Sequence, residues 1–248
     1  MMKLEIKNGQ LWLGDCLELM KDIPDNSVDM VLCDLPYGTT ACAWDTIIPF
    51  APLWEQYWRI CKANSPVVLF GSEPFSSHLR MSAINYYKYD WYWNKKFGGN
   101  FVQAKRMPLK SIECVSVFSK QKNMPNYNPQ MIDREKPIKQ GGRGTANAIP
   151  IKNNSETHKD KVYDQKYPLT ELNYPREIGQ TIHPTQKPIL LFEYLIKTYT
   201  IEGMLVLDNC SGSGTTAMAA EKSNRRWICI EKDQEYFEMS RKRIKFYS

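Results

Sequence analysis

The chain has 248 residues, with 33 Lys and Arg against 27 Asp and Glu, a formal net charge of +6 and a pI near 8.8. This length suits one large α/β domain with an insertion, or two small domains, and 42% hydrophobic content supports a real core. No run of about 18 apolar residues exists to span a membrane, and MMKLEIKNGQ lacks the apolar centre of a signal peptide, so the expected location is the cytoplasm.

Apolar runs bounded by turn residues predict the strands in chain order. Gln10 to Leu13 ends at Gly14-Asp15, Val28 to Cys33 at Asp34, and Pro66 to Phe70 at Gly71-Ser72. Tyr89 to Trp93 and Cys114 to Phe118 follow, then Leu205 to Leu207 ending at Asp208, and Trp227 to Ile230 ending at Glu231. Most are apolar on both faces, as strands of a buried sheet are. Helical segments alternate with them: Cys16 to Lys21, Phe50 to Ala63, Ser76 to Ile84, Pro188 to Tyr199, Thr215 to Ser223 and Glu235 to Phe246. Strand and helix in alternation predict a doubly wound, mostly parallel α/β sheet.

The stretch from Gln121 to about Ile182 differs. It is rich in Asn, Pro, Lys and Gly, includes GGRG at 141–144, and shows no clear periodicity. It reads as an inserted recognition region or a partly disordered segment. The expected organisation is therefore 1–120, an insertion over 121–182, and 183–248. Residues 88–110 hold six Lys or Arg against one Asp, interleaved with aromatics, a pattern of either a polyanion-binding face or a merely solvated one. The seven cysteines form no CxxC pair and only three histidines exist, so no zinc site is expected and the thiols read as reduced and structural.

Two strand ends carry chemistry. The first is Asp34-Leu35-Pro36-Tyr37, a carboxylate, a rigid turn and a ring at the end of an apolar strand. The second is Asp208-Asn209-Cys210-Ser211-Gly212-Ser213-Gly214-Thr215-Thr216, where a strand gives way to a turn of small residues and then a helix. Glycines let a backbone approach a ligand closely, although a plain tight turn reads the same way. The third glycine of a dinucleotide fingerprint is missing, and so is the lysine of a P-loop. Glu231, ending the next strand, suits the two hydroxyls of a ribose. A nucleoside-bearing ligand without a pyrophosphate fits, and S-adenosylmethionine is the obvious one.

DLPY, HPTQKP at 183–188 and DNCSGSGTT together resemble the N6-adenine/N4-cytosine DNA methyltransferases, in the group whose catalytic motif precedes its cofactor motif. The resemblance covers 10–119 and 183–246. Leu35 stands where the family has proline, and Cys210 where it has phenylalanine. It implies a circularly permuted seven-stranded methyltransferase sheet, with a catalytic half in 1–120, target recognition in 121–182 and a cofactor half in 183–248. It implies catalytic roles for Asp34, Leu35, Pro36 and Tyr37. For the cofactor it implies Asp208, Ser211, Gly212, Gly214 and Thr215 at the methionine part and Glu231 at the ribose. Asp15 falls at the adenine amine, and Thr185 and Lys187 near the carboxylate. Asp15, Thr215 and Thr216 read equally as helix caps, and His183 as a structural histidine.

The implied reaction is methyl transfer to the exocyclic amine of a flipped base, adenine N6 rather than cytosine N4; an RNA substrate or a binder without catalysis are the other readings. Double-stranded DNA is the implied partner, which places the protein on the nucleoid in use. Phosphate contacts fall to Lys95, Lys96, Lys105, Arg106 and Lys110, and base contacts to Arg134, Arg143 or Arg176. A homodimer and a restriction endonuclease partner are left open.

Overall fold

The computed structural model describes residues 2–39, 45–121, 124–139, 162–176 and 186–247. In chain order the elements are β1 (Met2–Ile6), β2 (Gly9–Leu13), α1 (Cys16–Leu19), β3 (Met30–Cys33), α2 (Phe50–Ile60), β4 (Pro66–Gly71) and α3 (Phe75–Ser82). Next come β5 (Tyr87–Gly99), β6 (Lys110–Ser119), β7 (Ile132–Lys139), β8 (Val162–Lys166) and β9 (Glu171–Asn173). The chain closes with α4 (Ile189–Tyr199), β10 (Leu205–Asp208), α5 (Thr215–Lys222), β11 (Arg226–Glu231) and α6 (Gln234–Tyr247).

Successive side chains of a strand point to opposite faces of its sheet. Met30 and Leu32 of β3 and Val68 and Phe70 of β4 enter one core, with Leu191 and Leu195 of α4, Ala217 of α5 and Phe237 of α6. Val31, Cys33, Val67 and Leu69 enter a second core, with Leu19 of α1, Leu53 and Tyr57 of α2 and Leu79 of α3. Both faces are thus covered by helices, which is why these strands read as continuous apolar runs. Helix α2 shows the matching pattern. Leu53, Trp54, Tyr57 and Ile60 recur at helical spacing and are buried, each contributing roughly 1.5–3 kcal/mol of apolar burial.

The sheet order is β1-β2-β11-β10-β3-β4-β6-β5-β9. From β2 to β4 every neighbouring pair is parallel, while β6 runs antiparallel to both β4 and β5. Seven strands, β2 to β5 in this order, match the predicted sheet, and each edge carries one more. Strand β1 forms an antiparallel hairpin with β2, and β9 pairs with β5. Strand β9 comes from the stretch read as an insertion without periodicity. That stretch also contributes β7 and β8, an antiparallel ribbon belonging to a separate compact unit, Pro129–Leu169.

The pairing of β10 with β3 decides where a ligand can sit. Val206 lies opposite Met30 and Leu207 opposite Val31, so a C-terminal strand stands beside an N-terminal one. Asp29 reinforces the joint: its amide donates to the Leu205 carbonyl at 2.9 Å and its carboxylate accepts from the Leu205 amide at 2.9 Å. The chain leaves β10 toward β11 on one side and β3 toward β4 on the other. This is the topological switch point of an open α/β sheet, where a crevice forms beyond the strand ends.

Candidate active site

The strand ends at Asp15, Glu231, Asp208 and Asp34 stand in sheet order, spanning three strand spacings, or about 14 Å. All four line one cavity of about 620 Å³, within the range of small-molecule sites. The cavity also takes in Leu35, Pro36, Tyr37, Lys187, Ser211, Gly212 and Thr215. Among the residues singled out in sequence, Thr185, His183 and Arg143 lie outside the described residues. Gly214 is absent from the cavity wall: it caps α5 in the left-handed conformation, φ 75°, and a Cβ there would meet Ser240 and Ile244 at 3.1 Å.

The turn after β10 is braced from below. Asp208 is 3% exposed. Its carboxylate accepts from the Thr216 hydroxyl and from the Cys210 amide at 3.1 Å. Burial raises its pKa to about 6, against these hydrogen bonds. Thr216 therefore spends its hydroxyl on Asp208 and Thr215 faces Ser213 and Arg243, so neither caps α5. The Cys210 thiol accepts from the Asn209 side-chain amide at 3.5 Å, and Cys210 lines the cavity with Cys16. The Tyr57 hydroxyl donates to Asn209 Oδ1 at 2.6 Å.

Glu231 ties the next strand end to this turn. One oxygen accepts from the Gly212 amide at 2.7 Å and the other from the Asp233 amide at 2.8 Å. Gly212 holds φ at 49° to aim that amide. Each carboxylate oxygen keeps a further lone pair for a ligand. Asp15 does cap α1, accepting from the Leu17 amide at 3.0 Å, and it pairs with Lys232 at 3.1 Å. Ser211 Oγ is buried against the cavity and has no hydrogen-bond partner among the described residues. A nucleoside carrying a polar amino-acid arm matches this wall: acidic acceptors at one end, an orphaned hydroxyl and close-approach turn in the middle.

At the other end Asp34 is enclosed by donors. The Tyr37 hydroxyl donates to Oδ1 at 2.5 Å, and Lys187 Nζ donates to Oδ2 at 2.5 Å. Lys187 also lies 3.4 Å from Glu113 Oε2, and Lys95 lies 3.0 Å from Glu113 Oε1. Four charges alternate in sign, Asp34, Lys187, Glu113 and Lys95. The Lys187 ammonium sits 5.4 Å from the Phe70 ring, 5.8 Å from Trp93 and 6.0 Å from Tyr37, an aromatic enclosure that favours a cation. Burial opposes its charge, but Asp34 and Glu113 hold its pKa above the usual lysine value. Burial pushes the Asp34 carboxyl up, with Lys187 and Tyr37 pulling it back. Burial likewise opposes charge on Glu113, yet the two lysines keep its pKa low.

Tyr37 stacks on Phe75 at 5.0 Å between centroids, which fixes its ring. Asp45 holds the two residues that follow Tyr37, accepting from the Gly38 and Thr39 amides, both at 2.8 Å. Lys187 thus contacts Asp34 rather than only the cofactor wall. Lys95 turns into the cavity while Lys96, Lys105, Arg106 and Lys110 are exposed. Arg176 lines the cavity and Arg134 donates to the Gln165 carbonyl within the β7–β8 ribbon. Glu113 and Asp45 were not foreseen: a single acid in a strand or loop gives no sequence signal of its partners.

A family model described as DNA methylase matches residues 28–242. The type II methyltransferase M.HpaI of Haemophilus parainfluenzae is 24% identical over 250 residues, which cover 95% of this chain and 74% of that protein. The crystal structure of an M1.HpyAVI–SAM complex aligns with a TM-score of 0.65 at 24% identity, over 95% of this chain and 98% of that one. The PvuII DNA methyltransferase, cytosine-N4-specific, aligns with a TM-score of 0.67 at 17% identity, over 97% and 91%.

Proposed function

The chain belongs to the N6/N4 DNA methylase family, and we propose that this site-specific DNA methyltransferase acts on the N6 of a flipped adenine. The observation that carries the reading is Asp34, a full carboxylate presented at the switch point beside the turn that follows Asp208. When bound, S-adenosylmethionine supplies an electrophilic methyl group. The residues to hold it are Glu231 and Asp15 for the nucleoside, and Asp208, Ser211, Gly212 and Thr215 for the amino-acid arm. The buried Ser211 hydroxyl, without a hydrogen-bond partner among the described residues, supports this assignment.

The remaining work falls to the catalytic end. An exocyclic amine is a weak nucleophile because its lone pair is delocalised into the ring. Asp34 and the Leu35 carbonyl accept its two hydrogens, which favours a tetrahedral nitrogen with a localised pair. Pro36 has no N–H and a fixed φ, so it stiffens the turn that presents the carbonyl. The Tyr37 ring offers a stacking face for the base, worth roughly 1–3 kcal/mol. As positive charge develops on the nitrogen, Asp34 stabilises it, and Glu113 offsets the nearby charge of Lys187. Positioning and preorganised charge carry the rate.

A base in a duplex cannot reach this cavity, so it must leave the stack at a cost of a few kcal/mol. Adenine is favoured over cytosine because a full carboxylate, rather than a weaker neutral acceptor, stands first in the motif. Nucleoside mass spectrometry of DNA incubated with the protein and S-adenosylmethionine tests the choice. The expected product is N6-methyladenine; N4-methylcytosine would replace the adenine reading.

A further inference from the structure

The hairpin of β5 and β6 begins inside the site and ends outside the sheet. Its base supplies Lys95 and Glu113 to the cavity. Pairing between the strands slips beyond Asn94 and Ile112 and resumes at Gly99 and Lys110. The tip between them is an ordered turn. The Gln103 amide donates to the Asn100 carbonyl at 3.0 Å, Ala104 to Phe101 at 3.0 Å and Arg106 to Gln103 at 2.8 Å. Asn100 takes the left-handed conformation that starts it, φ 66°.

This turn displays apolar side chains to solvent. Val102 is 97% exposed and Phe101 58% exposed. The Phe97 and Phe101 rings meet edge to face at 5.5 Å, so the knob has a fixed shape. Exposed cations flank it in sequence, Lys96, Lys105, Arg106 and Lys110, with no acidic residue between Asp90 and Glu113. Held apolar groups at a protruding tip mark an interaction site rather than chance exposure. The cations select a polyanion. Within a nucleic-acid duplex the one apolar region behind the phosphates is the base stack.

We propose that the Phe101–Val102 tip enters the duplex beside the target base and occupies the space that the base leaves, while Lys105 and Arg106 hold the flanking phosphates. Apolar side chains inserted at base steps are a known way to open a stack. Phe101 and Val102 lie beyond the last pair of the hairpin, Gly99 with Lys110, and so stand past its paired end. One hairpin thereby couples expulsion of the base to its capture, because its other end forms part of the cavity wall. The inference rests on the reading of the chain as a DNA methyltransferase.

The test uses the 248-residue chain with Phe101→Ser and Val102→Ser combined, and an Ile201→Ser control at an exposed apolar residue before β10, away from the hairpin. Substrates carry the motif found modified in DNA of cells expressing the protein, either fully paired or with the target base mismatched. A mismatched base already costs less to extrude. The double variant is expected to lose about tenfold or more in kcat/KM on the paired duplex and to stay within about twofold on the mismatched one. The control is expected to match wild type on both. Unchanged activity on the paired duplex, or an equal loss on both substrates, would overturn the wedge. A wild-type chain that methylates neither duplex would instead overturn the reading on which it rests.

Discussion

Lys187 and Asp34 stand 153 positions apart in sequence, and their side chains meet at 2.5 Å. The contact exists because β10 lies beside β3, which brings the C-terminal half of the chain against the DLPY turn. Lys187 is bound on its other side by Glu113. It thus bears on the charge state of the carboxylate that, in the proposed mechanism, accepts a hydrogen bond from the target amine.

Lys187→Met is expected to raise the Asp34 pKa further, since burial already pushes it up and Lys187 is its main opponent. The proposed mechanism needs the ionised carboxylate, so the acid limb of the pH–rate profile is expected to move to higher pH. Lys187→Arg should restore part of the wild-type limb. The variant should also lose about 3–5 kcal/mol of stability, the usual cost of breaking a buried pair. An acid limb at the wild-type position would show that Lys187 does not control Asp34.

Asp208 gives a pH dependence of stability. Its folded pKa of about 6 lies above the ordinary 3.8. The folded state therefore binds more protons than the unfolded state in that window, and stability falls as pH rises through it. The cost, on the order of 3 kcal/mol, is fully present above the folded pKa. Asp208→Asn removes it while keeping an acceptor for Thr216. Urea denaturation at pH 4 and pH 7 should show a gain for the variant, relative to wild type, on going to pH 7. Parallel behaviour of the two proteins would contradict the assignment.

Gly212→Asp should abolish S-adenosylmethionine binding with the fold retained. The position holds φ at 49° and aims its amide at Glu231, 2.7 Å away. A new carboxylate there faces both Glu231 and the close-approach turn. Calorimetry with unchanged cofactor affinity would remove this turn from the binding site.

Lys105→Ala with Arg106→Ala should weaken binding to all DNA sequences alike and flatten the salt dependence by up to about two units of slope. Lys95→Ala should leave the slope unchanged, because its ammonium is spent on Glu113 inside the cavity. Salt titration of both variants checks the pair. A Lys95 slope loss as large as that of the double variant would put Lys95 on phosphate instead.

Much of this architecture is legible in sequence. Strands such as Met30–Cys33 and Arg226–Glu231 are buried on both faces, so they read as apolar runs ending in acids. Edge strands do not: Met2–Ile6 alternates with exposed Lys3 and Glu5, and Glu171–Asn173 is three residues held by its neighbour. In the site, the DLPY turn and the glycine turn announce themselves because their chemistry is local. Glu113 and the inward turn of Lys95 are hidden, since each depends on a partner that only the sheet order supplies. The helix-cap reading holds for Asp15 but fails for Thr216, whose hydroxyl goes to the buried Asp208, and for Thr215, whose hydroxyl faces Ser213 and Arg243.

The central claim is that Asp34 carries methyl transfer to adenine N6. Asp34→Ala, assayed by nucleoside mass spectrometry beside wild type, tests it most directly. Wild type should yield N6-methyladenine, and the variant should still bind cofactor and DNA while turnover falls by at least about 10²-fold, the scale of one lost preorganised contact. A variant as active as wild type would contradict the mechanism, and N4-methylcytosine as the main wild-type product would contradict the assigned base.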